Sequence, residues 1–338
     1  MPKPRFVLPL VFLLLFSLLF LSGCSLKLPK LFPEPVPISD LPAKALFVDG
    51  DAIYQRTIAL IESAQKSIYV EQAAFDDPRL IQLLLTKSRA GVDVRILLDQ
   101  WQKVNRATLD QLKSQNVSIQ YYPAQKGQIN HTKYLVVDQR IAMIYGAPWT
   151  ADGLLSHNVA VELTGKSAWK SANQFSKDWE FTTTFPLAIP ADSPLPDDKI
   201  ILATNAKVKQ QLTEQITAST KSISIEIPEI TDLDLIQALN DAADKGREIR
   251  LIFDLATTSS TPLEKFTSKN ITIRHFPSKP PLGMHVAIFD NSTFLISSSD
   301  WTRSSFVSNH EFSITVPSPL ASAKLGDLFN QDWEKSTK

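Results

Sequence analysis

The sequence predicts an α/β fold built from two tandem repeats. Three observations carry that reading: the chain resembles itself at a nearly fixed offset, each copy alternates helical with β-branched stretches, and a proline-rich segment separates the copies. "IALIESAQKSIYVEQAAF" is echoed by "QLTEQITASTKSISIEIPEI", "AGVDVRILLDQ" by "KGREIRLIFDL", "NVSIQYYP" by "NITIRHFP" and "FSKDWE" by "FNQDWE". Asp99 and Asp254, Asn116 and Asn270, and Trp179 and Trp333 stand 154 or 155 residues apart, a register that chance does not hold over such a length.

Within each copy, amphipathic stretches such as Asp51 to Gln65 and Asp232 to Gly246 alternate with β-branched runs such as Ser67 to Phe75 and Glu248 to Leu255. Apolar residues at helical spacing bury one face, and β-branched runs suit a sheet covered on its faces, so each repeat is expected to be a mixed sheet flanked by helices. "FPLAIPADSPLPDD" has four prolines and no apolar periodicity. The expected divisions are a first repeat over residues 44–184, a linker over 185–199 and a second repeat over 200–338.

Ahead of the repeats, Lys3 and Arg5 precede an unbroken apolar stretch that ends in Leu21-Ser22-Gly23-Cys24. That layout predicts a lipoprotein signal peptide over residues 1–23, with Cys24 as the lipid attachment point and a localisation in the bacterial cell envelope. Cys24 is the only cysteine, so no disulfide is expected in the exported protein. Five prolines in residues 25–43 favour an extended spacer, and residues 24–43 are expected to form a tether. Cleavage would leave 33 basic against 35 acidic residues, a balance that argues against nucleic acid as the partner.

The chemistry lies in "HTKYLVVD", residues 131–138. Residues two apart on a strand share a face, so His131 and Lys133 would aim an imidazole and an ammonium at one site. Such a pair suits a phosphate, since lysine donates to non-bridging oxygens and histidine can attack phosphorus or move a proton. Asp138 is an odd number of positions from His131 and faces the other way, which suits a brace. His157, His275 and His310 share no spacing with acidic residues, and neither a metal nor another cofactor is expected. Trp149, Trp301, Trp179 and Trp333 recur once per copy and read as core.

His-x-Lys-x4-Asp, followed by a second strand and a small-residue turn ending in Trp-Thr, resembles the HKD signature of the phospholipase D superfamily, and the repeat extends the resemblance over nearly all of residues 44–338. The resemblance implies two repeats packed about a pseudo-twofold axis with one active site between them. It implies that one histidine forms a phosphohistidine, that the other protonates the leaving oxygen, and that no metal is needed. His131 would be the nucleophile and Lys133 the phosphate clamp.

The second copy departs from this pattern. At an offset of 152, "GMHVAIFD" puts Gly283 opposite His131, His285 opposite Lys133 and Asp290 opposite Asp138. The first copy in turn reads "YGAPWT" where the family has Gly-Ser-x-Asn, and at the same offset its Asn-x-Glu places fall on His157 and Val159. The second copy keeps Ser298, Asn309 and Glu311, with Asp300 at an Asn place. The catalytic set is therefore His131, Lys133 and Asp138 with a displaced His285, and the substrate-binding set is Ser298, Asp300, Asn309 and Glu311. The expected function is a monomeric phosphodiesterase or phosphatidyl transferase acting on membrane phospholipid. The alternatives are a catalytically inactive phosphate-ester binder or scaffold and, third, a nuclease.

Overall fold

The protein is described by a computed structural model over residues 38–190, 195–277 and 279–338. The expected signal peptide, Cys24 and most of the tether lie outside these residues. Among the described residues no helix is long and apolar enough to cross a membrane.

The first half runs β1 (Leu46–Val48), α1 (Gly50–Ser63), β2 (Ser67–Gln72), α2 (Pro78–Arg89), β3 (Asp93–Asp99), α3 (Asn105–Ser114), β4 (Ser118–Tyr122), β5 (Lys133–Val137), β6 (Ile141–Tyr145), α4 (Ala151–Leu155), β7 (Val159–Thr164) and α5 (Gly165–Thr183). Its seven strands form one sheet in the order β1-β7-β6-β5-β2-β3-β4. β2, β3 and β4 are parallel, and the remaining pairs are antiparallel.

The second half repeats the plan with β8 (Ile201–Thr204), α6 (Ala206–Ala218), β9 (Ser222–Glu226), α7 (Leu233–Asp244), β10 (Glu248–Asp254), β11 (Ile271–Phe276), β12 (Val286–Phe289), β13 (Thr293–Ser297), α8 (Arg303–Val307), β14 (Phe312–Val316) and α9 (Pro319–Lys335). Its sheet order is β11-β10-β9-β12-β13-β14-β8.

Local chemistry is duplicated with the strands. Asp77 and Asp232 cap α2 and α7 by accepting from Leu80 N and Leu235 N. Pro78 opens α2, where a missing N–H is harmless. Trp149 and Trp301 are fully buried after β6 and β13, in the core role expected of them.

Burial sorts into three layers. An outer core under α1 and α2 includes Ile61, Leu84 and Ile96, and its counterpart under α6 and α7 includes Leu212, Leu239 and Leu251. The central core draws on both halves: Tyr134, Phe175 and Trp179 from the first join Val286, Phe312 and Phe329 from the second. The two sheets thus face one another across α5 and α9. Two crossings matter for the site, Asn130 bridging His310 and His157 bridging Leu282, each tying one half to the other.

Candidate active site

His131 sits on the approach to β5 and Lys133 is its first residue, in the middle of the sheet where β5 lies between β2 and β6. The His131 backbone N–H donates to the His310 carbonyl of the other half at 2.9 Å. Its Nδ1 faces Glu311 Oε1 at 3.3 Å, an ion-pair separation that falls short of hydrogen-bond alignment. Glu311 is fully buried and itself held: Ser298 Oγ donates to its Oε2, and Asn309 Nδ2 donates to Oε1 at 3.3 Å. Burial pushes the Glu311 carboxyl up, but His131 and Lys133 outweigh it and hold it below its usual range. Lys133 Nζ crosses to donate to the Ser298 carbonyl at 2.8 Å, and burial pushes its ammonium down to about 8 against the pull of Glu311 and Asp300.

His285 stands across from the nucleophile, with ring centroids 6.5 Å apart and planes nearly perpendicular. Its Nε2 lies 2.9 Å from Asp300 Oδ1 and its Nδ1 lies 3.1 Å from the Gly283 carbonyl. A carbonyl oxygen only accepts, so Nδ1 carries hydrogen and a bond to an ionised Asp300 requires it on Nε2 as well. Burial would raise Asp300, but the hydrogen bond and charge of His285, then His131 and Lys133, hold its carboxyl well below the usual range. His131, Lys133, His285 and Asp300 line one cavity of about 350 Å³, together with Pro148 and Gly283.

Four expected site residues thus meet at the cavity. Ser298, Asn309 and Glu311 stand behind it, the first two donating to the Glu311 carboxylate, which faces the His131 ring. Asp138 is not in the site: its carboxylate accepts from the backbone N–H groups of Gln65, Lys66 and Ser67, and Asp290 does the same for Thr220, Lys221 and Ser222. Its inclusion in the catalytic set is corrected to a brace.

Two further readings are corrected. The first concerns register beyond the Trp-Thr turns. Asp49 N donates to Asn158 O as Asn205 N donates to Glu311 O, and Gly283 N donates to His157 O as His131 N donates to His310 O. The counterparts of Glu311 and Asn309 in the first half are therefore Asn158 and Ser156, not Val159 and His157, because the second half has one extra residue after its short helix. The carboxylate is still missing there.

The second concerns the histidines. His310 lies among Glu71 and Asp178, and His157 among Glu226 and Asp332, all six buried. Sequence spacing hid these clusters because each joins acids of one half to the histidine of the other. The available signal was a glutamate at an equivalent place in two otherwise apolar strand runs, "SIYVEQ" and "SISIE".

The emptied half-site is closed. A Cβ on Gly283 would lie 2.5 Å from Ser156 Oγ, and one on Gly146 would lie 2.6 Å from the Gly283 carbonyl oxygen. These two glycines pack backbone to backbone where a second histidine and its serine would stand.

A histidine backed by a carboxylate from the opposite repeat, beside a buried lysine in an inter-repeat cavity, defines a site of the phosphodiesterase class. The family model described as "Cardiolipin synthase, PLD-like domain" matches residues 57–179 and 212–333, once per repeat. The chain belongs to this branch of the phospholipase D superfamily. It is 21% identical over 347 residues to a cardiolipin synthase of Clostridium perfringens strain SM101, covering 87% of this chain and 71% of the relative. Against cardiolipin synthase A of Pseudomonas entomophila it is 23% identical, covering 86% and 68%. Among solved structures, phosphatidylserine synthase from Haemophilus influenzae superposes with a TM-score of 0.70 at 14% identity, covering 88% of each chain. Polyphosphate kinase from Porphyromonas gingivalis gives 0.65 at 15% identity, over 93% of this chain and 52% of the kinase.

Proposed function

We propose that the chain is a phospholipase D-like phosphodiesterase or phosphatidyl transferase that acts on phospholipid through a phosphohistidine on His131. The observation that carries the reading is the pairing of His131 Nδ1 with buried Glu311 at 3.3 Å, since it leaves the ring's Nε2 with no hydrogen bond among the described residues. In the first step that nitrogen bonds to phosphorus while the P–O bond to the leaving alcohol breaks, and the His285–Asp300 pair supplies the proton that the alkoxide takes. Lys133 balances charge on the non-bridging oxygens. Water or an acceptor alcohol then attacks phosphorus, releasing His131 and returning a proton to the pair.

A phospholipid substrate is supported by the names of the matching relatives and by the balanced charge of the chain, which favours lipid over nucleic acid. Anchoring through Cys24 in the envelope, with residues 24–43 as tether and repeats over 44–184 and 200–338, belongs to the same proposal and rests on the sequence.

The test is release of head group from phosphatidylglycerol vesicles and of nitrophenolate from bis(4-nitrophenyl) phosphate, with acid-quenched trapping of the phosphoenzyme. His131→Ala abolishes both activities and the trapped species. His285→Ala lowers head-group release by about 10² to 10⁴ but spares nitrophenolate, which leaves without a proton. A second reading, binding without turnover, is favoured by the full engagement of both His285 nitrogens. It becomes the conclusion if wild type is silent on both substrates while inorganic phosphate still binds in a Lys133-dependent manner.

A further inference from the structure

The His310 and His157 clusters match residue for residue. Glu71 on β2 and Asp178 on α5 face His310, while Glu226 on β9 and Asp332 on α9 face His157. Behind each ring, Nδ1 meets the residue that opens a helix, Asn205 Oδ1 at 2.9 Å or Asp49 Oδ1 at 3.2 Å. Above each ring lies an aromatic, Tyr122 at 4.4 Å or Phe276 at 5.0 Å, both nearly parallel. The halves have diverged at the catalytic positions yet keep glutamate, aspartate and histidine identical here.

They differ at Nε2. His157 Nε2 makes one hydrogen bond, 2.8 Å to Asp332 Oδ2, with Glu226 Oε1 standing off at 3.9 Å, as a protonated imidazole would arrange it. His310 Nε2 lies 3.2 Å from Asp178 Oδ2 and 3.5 Å from Glu71 Oε1, yet neither is aligned with it, and this nitrogen of a residue only 5% exposed has no hydrogen-bond partner among the described residues. Donors about 2.0–2.2 Å from a tetrahedral zinc ion stand roughly 3.3–3.5 Å from one another, and the two separations from Nε2, 3.2 and 3.5 Å, lie close to that range. An ion on the Nε2 axis would draw the two oxygens around itself and off that axis.

The surroundings fit as well. Asn205 Oδ1 also accepts from Glu311 N at 3.1 Å, so it is the acceptor for His310 Nδ1–H and leaves the Nε2 lone pair for a metal. Asn130 and Tyr134 donate to the Glu71 carboxylate at 2.8 and 2.6 Å, and Gln174 donates to both Asp178 oxygens at 3.0 Å, as outer partners of ligating carboxylates do. Two carboxylates and a neutral imidazole also balance a divalent charge that could not otherwise be buried.

We propose that Glu71, Asp178 and His310 bind one divalent transition-metal ion of the zinc type. The site staples the two repeats rather than catalysing. It fixes the peptide whose His310 carbonyl accepts from His131 N–H and whose Glu311 faces the His131 ring. The inference stands whether or not the cavity turns over.

The test uses the full chain in detergent, stripped with a chelator and titrated with Zn²⁺. Stoichiometry is read by elemental analysis and thermal unfolding is followed in parallel. One equivalent per chain is expected, with a midpoint several degrees above that of the stripped protein. Asp178→Asn and Glu71→Gln lose the equivalent and the shift, whereas Asp332→Asn keeps both. Co²⁺ substitution of the wild type, read for a tetrahedral visible spectrum, decides the matter should the variants fail to fold. No equivalent above background, no tetrahedral spectrum with Co²⁺, or an equivalent that survives in Asp178→Asn and is lost in Asp332→Asn would overturn the proposal.

Discussion

Restoring the missing histidine in the second repeat should fail, and the structure says by how much. Gly283 has ordinary backbone geometry, so the penalty for a side chain there is one of space. Its Cβ would fall 2.5 Å from Ser156 Oγ, closer than real Cβ atoms come, and 3.0 Å from Asn158 Cβ and 3.2 Å from Ala147 Cβ, both tighter than most Cβ contacts. Overpacking of this kind costs about 1–3 kcal/mol. Gly283→Ala should therefore lower stability by that amount in chemical denaturation. Adding Ser156→Ala should recover part of the loss by removing the nearest atom. Gly146→Ala should cost at least as much and resist such rescue, because the atom 2.6 Å from its Cβ is a backbone carbonyl that cannot rotate away. Gly283→His should be less stable still, with no gain in head-group release. A Gly283→His protein as stable as wild type and faster on phosphatidylglycerol would refute the closed half-site.

Three other perturbations test separate parts. Lys133 carries its charge below about pH 8, so kcat/KM should fall as pH rises through that value, and Lys133→Arg, always charged, should move the limb to higher pH; a limb left in place rules out the clamp. Burial, then the charge of Asp332, pushes Glu226 up to about 8, so the folded protein holds a proton that the unfolded chain releases near its ordinary value of 4.5. That stability is fully present at acid pH and is lost as pH rises toward 8, at about 1.4 kcal/mol per pH unit, and Glu226→Gln should flatten the decline in urea midpoints; an unchanged slope refutes the assignment. Asp138→Asn should destabilise by about 1–3 kcal/mol through its three backbone donors while leaving activity per folded molecule intact, so a specific loss of turnover would return Asp138 to the site.

The fold was legible because duplication writes the same pattern twice, and a shared offset is visible without knowing any contact. Strand periodicity likewise put His131 beside Lys133 and turned Asp138 away. Two things escaped. A single extra residue after α8 shifts the frame to 153 between the Trp-Thr turn and β14, and nothing in "SHN" against "SNHE" says which residue loops out until the backbone bonds of Asp49 and Asn205 fix it. Contacts between repeats escaped too, because spacing along a chain carries no information about a partner on the other half. Gly283 and Gly146, where a histidine and a serine would stand, read as erosion, yet in three dimensions the two fit one another, Gly146 leaving room for the Gly283 carbonyl and Gly283 for the Ser156 side chain. That mutual fit bears on the chemistry. Two equivalent histidines could each attack, whereas here His131 has the Glu311 carboxylate behind its Nδ1 and, among the described residues, no hydrogen bond at Nε2. His285 is tied at both nitrogens, to Asp300 and to the Gly283 carbonyl. On the proposed mechanism, then, in-line attack by His131 places the departing alcohol on the side of His285, whose ring stands across the cavity at a centroid distance of 6.5 Å.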